Sequence, residues 1–323
     1  MNQRAILAAA VLSAFAALPA AVQAQAFPNK SIRVVVPFTP GSGTDITARA
    51  ITDRLGANMG QTVVVENRPG AGSTIGAGLV AKADPDGYTL LVNSSSHTVV
   101  TWTYQNLAFD PVKDFAAITP LGALPNVLVV SPTKNFKSVR DLVAYAKANP
   151  GKVNYASAGL GSATHLNAER FRLGAGFTGE HIPFKGTPEA QTEVMTGRVD
   201  MYFSPVVSAL PQVKEGKLQA LAVGTPRRSA VLPDLPTTIE AGVPNSDYTF
   251  WVGMFAPAKT PRDIVNRIYQ ETLKAMQSPD VKERLLKLGA EPMPLTPEQF
   301  DAYVRDETAS NQALVKAAGI KPQ

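Results

Sequence analysis

The chain contains no cysteine. No disulfide can staple it, although an oxidising compartment would permit one, and no thiol is present to carry a lipid anchor. Clustered charge is missing too. Its 31 Lys and Arg are scattered against 26 Asp and Glu, for a formal net charge of +5. No basic run reads as a nucleic-acid face, so nucleic acid is excluded as a partner. A mild positive balance favours small anions instead. The histidines, at 97, 165 and 181, lack a metal-binding spacing such as His-x-x-x-His, and no metal or cofactor is expected. There is no Gly-x-Ser-x-Gly elbow. Ser131-Pro132-Thr133-Lys134 fits Ser-x-x-Lys, but it leaves a strand rather than opening a helix. No pair of acidic residues has a spacing that assigns an acid and a base. The residues therefore name no catalytic group.

Long hydrophobic runs are confined to the start. Asn2-Gln3-Arg4 carries one positive charge, Ala5 to Ala21 is small and apolar, and "VQAQA" (22 to 26) offers small residues for cleavage. That is the pattern of a secretory signal, with cleavage after Ala24 or Ala26 equally compatible. The apolar core is short of the roughly 20 residues of a comfortable membrane span, which argues against a retained anchor. The mature chain is expected to be soluble and exported. Loss of Arg4 takes its formal charge from +5 to +4. About 300 residues can bury a sizeable core without disulfides, in two domains.

From Ile32 the chain alternates strands and helices. Ile32 to Val36 is a continuous apolar run, as in a strand buried on both faces. Thr44 to Met59 carries an apolar stripe at 46, 50, 51, 55 and 59. Further strands are expected over 62–65, 88–92, 127–130, 153–156, 181–184, 200–203, 218–223 and 250–256, with helices between. The Pro-rich stretch "TPRRSAVLPDLPTTIEAGVPNS" reads as a wrap or linker. Beyond Pro261 the chain looks helical to Ala318, broken near Ser278-Pro279 and over 291–297. Such alternation implies parallel sheets covered on both faces, with ligand beyond the carboxyl ends of the strands.

Glycine and hydroxyl residues gather at those ends. "PFTPGSGTD" (37 to 45) places Phe38, Thr39, Gly41, Ser42, Gly43, Thr44 and Asp45 at a strand-to-helix junction. There the free amides and positive dipole end suit a carboxylate or phosphate. The plain alternative is a turn and N-cap, with Thr44 capping and Asp45 in the first turn. "NSSSH" (93 to 97) adds Ser95 and Ser96, and "YASAGLGSATHL" (155 to 166) adds Ser157, Gly159, Gly161, Ser162 and Thr164. A dinucleotide reading fails at Ile46, where a third glycine belongs, and at Pro37 and Pro40 inside the turn. No glycine run ends in Gly-Lys-Ser/Thr, so a triphosphate loop is absent. His165 is either a ligand-facing donor or a histidine packed under its loop, and a lone histidine more often packs. Lys185 and Gly186, in "KGTP", precede a helix; Lys185 either pairs with an anion in the cleft or sits in solvent. Phe38, Phe184 and Phe203 each end a strand, where they wall a pocket or cap the core.

Together, "SIRVVVPFTPGSGTD", "VVVENRPGAGSTIGAGLVAKADPDGYTLLV", "NVLVV", "DLVAYAKANPGKVNYASAGLGSATHL" and "HIPFKGTPEAQTEVMTGRVDMYF" resemble the Bug family, periplasmic solute receptors of tripartite tricarboxylate transporters. The similarity spans essentially the whole mature chain. It implies a type II periplasmic binding protein fold: two α/β lobes with a ligand cleft between them. It implies a small organic carboxylate as ligand, often held partly through ordered water, and transporter membrane components as partners. The family's first loop matches residues 37 to 45 and its second matches 155 to 165, on the opposite lobe. Ser42 stands where members often have glycine. Lobe one is then 27–124 plus 225–323 and lobe two 125–224, with crossings near Gly122 to Asn126 and Val223 to Pro226. Two rivals to the transport receptor are a sensory component that presents its ligand to a membrane kinase, and an exported hydrolase or transferase, for which no nucleophile and base are evident.

Overall fold

The computed structural model describes residues 27–323; the expected signal segment, residues 1–26, lies outside the described residues. Two five-stranded sheets form, one per lobe. In lobe one, β1 (Ile32–Val36) is buried at every position but Arg33. It lies parallel to β2 (Val63–Asn67) and β3 (Thr89–Ser94). β4 (Phe115–Leu124) and β10 (Phe250–Pro257) complete the order β2-β1-β3-β10-β4, with β10 antiparallel to both neighbours. Lobe two holds β5 (Asn126–Val130), β6 (Val153–Ser157), β7 (Gly179–Pro183), β8 (Met201–Pro205) and β9 (Gln219–Val223) in the order β7-β6-β8-β5-β9. β6 runs parallel to β7 and β8, while β5 is antiparallel to β8 and β9.

The sheets are therefore mixed, where strand–helix alternation alone predicts parallel ones. The odd strands are those that enter from the other lobe. β5 arrives straight from β4 through Pro125, and β10 returns to lobe one. Neither follows a helix laid over its own sheet, so the geometry of the parallel crossover does not govern them.

Helices α1 (Gly43–Met59), α2 (Thr74–Ala81) and the single turn α3 (Val100–Thr103) follow β1, β2 and β3. Lobe two carries α4 (Val139–Ala148), α5 (Ala163–Ala175), α6 (Thr187–Met195) and α7 (Val206–Lys214). α8 (Arg262–Gln277), α9 (Pro279–Lys287) and α10 (Pro297–Ala317) close lobe one. Their ends follow from local chemistry. α1 stops at Gly60, which is left-handed and returns its amide to the last turn. α10 starts in a capping box between Thr296 and Gln299.

The second lobe boundary differs from the sequence expectation. Residues beyond 225 do not join lobe one at once. Val243 belongs to the lobe-two core, and Val231, Leu232 and Leu235 pack on that lobe. Thr237 bridges the exposed edge of β9 at Val223, with Val223 N donating to Pro236 O at 2.9 Å and Thr238 N to Val223 O at 2.9 Å. The crossing lies between Val243 and Tyr248, which is part of the lobe-one core. The stretch covers a sheet edge that solvent would otherwise reach.

Candidate functional site

The first turns of α1, α5 and α6 meet where the lobes face each other. Ser42, Gly43 and Thr44 arrive from β1–α1, Ser94 and Ser96 from the end of β3, and Ser162, Ala163 and Thr164 from β6–α5. Thr187 opens α6, and Pro205 precedes α7. Phe38, Phe250 and Ala158 supply the apolar wall. The hollow they enclose has a volume of about 10 Å³, room for about one water molecule. First-turn amides have no acceptor inside their own helix. The hollow is thus lined by backbone donors, by hydroxyls and by the positive ends of helices from both lobes.

The lobes touch directly around it. Thr39 Oγ1 donates to Glu189 Oε2 at 3.0 Å, Thr187 N to Ser42 Oγ at 3.2 Å, and Ser208 Oγ to Gly41 O at 3.2 Å. Ala163 N donates to Ser96 Oγ at 2.9 Å, and Tyr104 OH to Leu160 O at 3.3 Å. Ala163, Leu166 and Val207 of lobe two also pack into the main apolar cluster of lobe one. Close approach explains part of the glycine content. A Cβ on Gly186 would lie 1.9 Å from Thr39 Oγ1, and one on Gly72 would lie 2.0 Å from Leu160 O. Some of the bare corners are bare for the opposite lobe.

Behind the second loop lies a buried polar cluster. Gly161 N donates to His165 Nδ1 at 3.3 Å, which leaves the ring proton on Nε2, 3.6 Å from Glu169 Oε1. Tyr155 OH and Arg172 also donate to Glu169, Arg172 Nε at 2.9 Å. Burial pushes the Glu169 carboxyl up, but the bonds from His165, Arg172 and Tyr155 outweigh it and hold it at about 2. His181 stacks on His165 with ring centres 3.7 Å apart. Burial lowers His181 to about 3.

Ser157 Oγ lies 2.6 Å from His181 Nε2, a hydroxyl–imidazole pair that a separation of 24 positions conceals in the sequence. It is a poor nucleophile and base. Ser157 is fully buried and does not line the hollow, and an imidazole lowered to about 3 is badly matched to proton transfer near neutral pH. Ser157 instead ties the loop together: its Oγ donates to Gly159 O at 3.0 Å and accepts from Gly159 N at 3.0 Å.

Of the residues singled out from sequence, Phe38, Ser42, Gly43, Thr44, Ser96, Ser162 and Thr164 line the hollow. Thr39 and Gly186 meet each other at the lobe interface, and Gly159 stands against Gly72 and Gly161 against Thr103 across it. Gly41 is exposed and left-handed, with its amide on Asp45. Others stand back. Asp45 is spent on Gly41 N at 2.9 Å, Arg49 Nε at 3.0 Å and Asn67 Nδ2 at 2.8 Å. Ser95 meets Tyr248 OH at 3.5 Å inside lobe one. Lys185 is exposed, Phe184 packs on the lobe-two core, and Phe203 is fully buried in it, 5.4 Å from the Phe171 ring. Phe203 thus caps the core and does not wall the pocket. Ser94, Thr187, Pro205 and Phe250 line the hollow without having been singled out. Ser94 and Thr187 lie in the small polar strand-end stretches already noted; Pro205 ends β8 and Phe250 opens β10, and neither carries such a signal.

Comparison with known proteins gives a consistent picture. The family model described as tripartite tricarboxylate transporter family receptor matches residues 47–320. BugT of Bordetella pertussis is 34% identical over 324 residues, 99% of each chain. A solved R. palustris protein with adipate is 33% identical, with a TM-score of 0.88 over 92% of this chain and 100% of that one. MatC from Rhodopseudomonas palustris with bound malate is 33% identical, with a TM-score of 0.85 over 90% and 100%. The architecture is that of periplasmic binding proteins, two α/β lobes with a cleft between them.

Proposed function

We propose that this chain, which belongs to the tripartite tricarboxylate transporter family of receptors, binds a small organic carboxylate between its lobes and hands it to the membrane components of such a transporter. The observation that carries this reading is the convergence on one hollow of first-turn amides and hydroxyls from opposite lobes. Among the described residues lining it, none carries a formal charge. An anion there is met by neutral donors and helix dipoles. Relatives solved with adipate and with malate support a carboxylate of a few carbons.

The ligand contacts are Phe38, Gly43, Thr44, Ser162 and Thr164, joined by Ser94 and Thr187; Ser42 and Ser96 line the same hollow but are engaged with amides of the opposite lobe. A hollow of about 10 Å³ is too small for such an acid, so the lobes part to admit it and close again by a hinge motion. The membrane partner reads the ligand-closed state. Two clamps on the anion at ~1.5–3 kcal/mol each are compatible with micromolar affinity. Residues 1–26 direct export to the periplasm, and the receptor works as a monomer. The buried, mismatched Ser157–His181 pair supports binding without turnover.

A thermal-shift screen of mono-, di- and tricarboxylates, aromatic acids included, tests the proposal. At least one acid should raise the unfolding midpoint, with stabilisation of about 2.7 kcal/mol at a hundredfold excess over Kd. A panel without a single stabiliser refutes it.

A further inference from the structure

We infer that Ser42 and Ser96 are built-in competitors of the ligand: lobe-one hydroxyls that occupy helix amides of lobe two and so set how tightly a carboxylate is held. The inference deepens the carboxylate-receptor reading and rests on it. α6 begins without a cap of its own, because its N-cap is Gly186 and has no side chain to offer. The first amide of that helix, Thr187 N, is met by Ser42 Oγ from the other lobe at 3.2 Å. Ser42 is itself the N-cap of α1, yet its side chain makes no cap bond there. Serine at this position ordinarily closes its own helix, as Ser162 does for α5 by accepting from His165 N at 3.3 Å. Ser42 serves the opposite lobe instead.

The pattern repeats at α5. Its first amide, Ala163 N, donates to Ser96 Oγ at 2.9 Å across the same interface. These two amides are orphan donors at helix N-termini, the groups an anion would use. A carboxylate seated on α5 and α6 and the two serines therefore want the same N–H groups. The small hollow fits this: where the serines reach the amides, the lobes lie too close for an acid between them. Closure through the serines and closure around an acid exclude each other. The first lowers the population able to bind and so weakens the apparent affinity.

The absence of cysteine makes the test simple, since labels can be placed one per lobe by Lys82→Cys and Ala144→Cys. Interlobe distances are measured by pulsed electron resonance without added acid, in the parent and in Ser42→Gly and Ser96→Ala. Affinity for adipate and for malate is measured by calorimetry. Each variant should lower the closed-to-open ratio by roughly 2- to 12-fold, the effect of one net hydrogen bond. Each should bind the acid accepted by the parent more tightly, by up to the same factor. Unchanged distances in both variants overturn the inference. So does a variant that opens but binds the acid more weakly, for its serine is then a holder of ligand rather than a rival. If the parent binds neither acid, the choice of probe fails, and the distance arm still supports or overturns the cross-lobe capping.

Discussion

Glu307 ties the fold to the cleft and offers a quantitative test. It lies on α10 beneath the Ser95–Thr98 turn, which ends β3 and presents Ser96. Thr98 Oγ1 donates to its carboxylate at 2.8 Å, Trp251 Nε1 at 2.9 Å and Tyr303 OH at 3.1 Å. All three partners are neutral. Burial opposes the charge more than these bonds favour it, and the carboxyl rises from 4.5 to about 7. The folded protein then holds a proton that the unfolded chain releases, so stability falls as pH rises from 4.5 to 7. At about 1.36 kcal/mol per pH unit the loss comes to about 3 kcal/mol at most. Two buried histidines act in the opposite sense. Burial lowers His97 from 6.5 to about 4 and His181 from 6.5 to about 3. Their neutral forms favour the fold fully above pH 6.5, and that contribution is lost as pH falls through their folded values. The wild-type pH curve mixes the three, but its difference from Glu307→Gln isolates the carboxyl. Urea unfolding should show the two proteins within about 1 kcal/mol at pH 5, and the Gln variant more stable by up to about 3 kcal/mol at pH 8. A difference that stays flat between those pH values would refute the assignment.

Two further outcomes follow from the packing. Gly186 has φ −177° and ψ −177°, extended backbone that any residue adopts, so Gly186→Ala should fold normally. Its new Cβ, 1.9 Å from Thr39 Oγ1 and 2.8 Å from Ser42 Oγ, must displace the hydroxyls that meet α6 at the rim, Ser42 Oγ on Thr187 N among them; faster hydrogen exchange at the Thr187 amide is the readout, and unchanged protection sinks the argument. Phe203→Ala empties a fully buried site against Phe171; it should cost about 3–5 kcal/mol in urea unfolding, and a cost below about 1 kcal/mol would place the ring outside the core.

How much of this was legible beforehand depends on whether a residue's meaning is local. The corners at 37–45 and 155–165 were legible as bare strand-to-helix turns, because their glycine and hydroxyl residues stand together between a buried strand and a helix, and residues of both line the hollow. β4 was not: Pro120 and Gly122 break its pattern, and both sit in an edge strand that pairs with β10 through register shifts. The stretch after 225 was hidden the same way, since its prolines advertise a linker while Val243 and Leu235 quietly cover lobe two. Phe38 and Phe203 are one residue type at two strand ends, yet one lines the hollow and the other meets Phe171. That choice belongs to the partner element, which no local pattern specifies. The glycines show the limit most clearly. A bare backbone says that something comes close without saying what, and at Gly186 and Gly72 it is the other lobe. Small residues there serve the contact between the lobes. Under the proposed function the same amides answer to both closure and ligand, and the two lobes and an acid would compete for one set of donors.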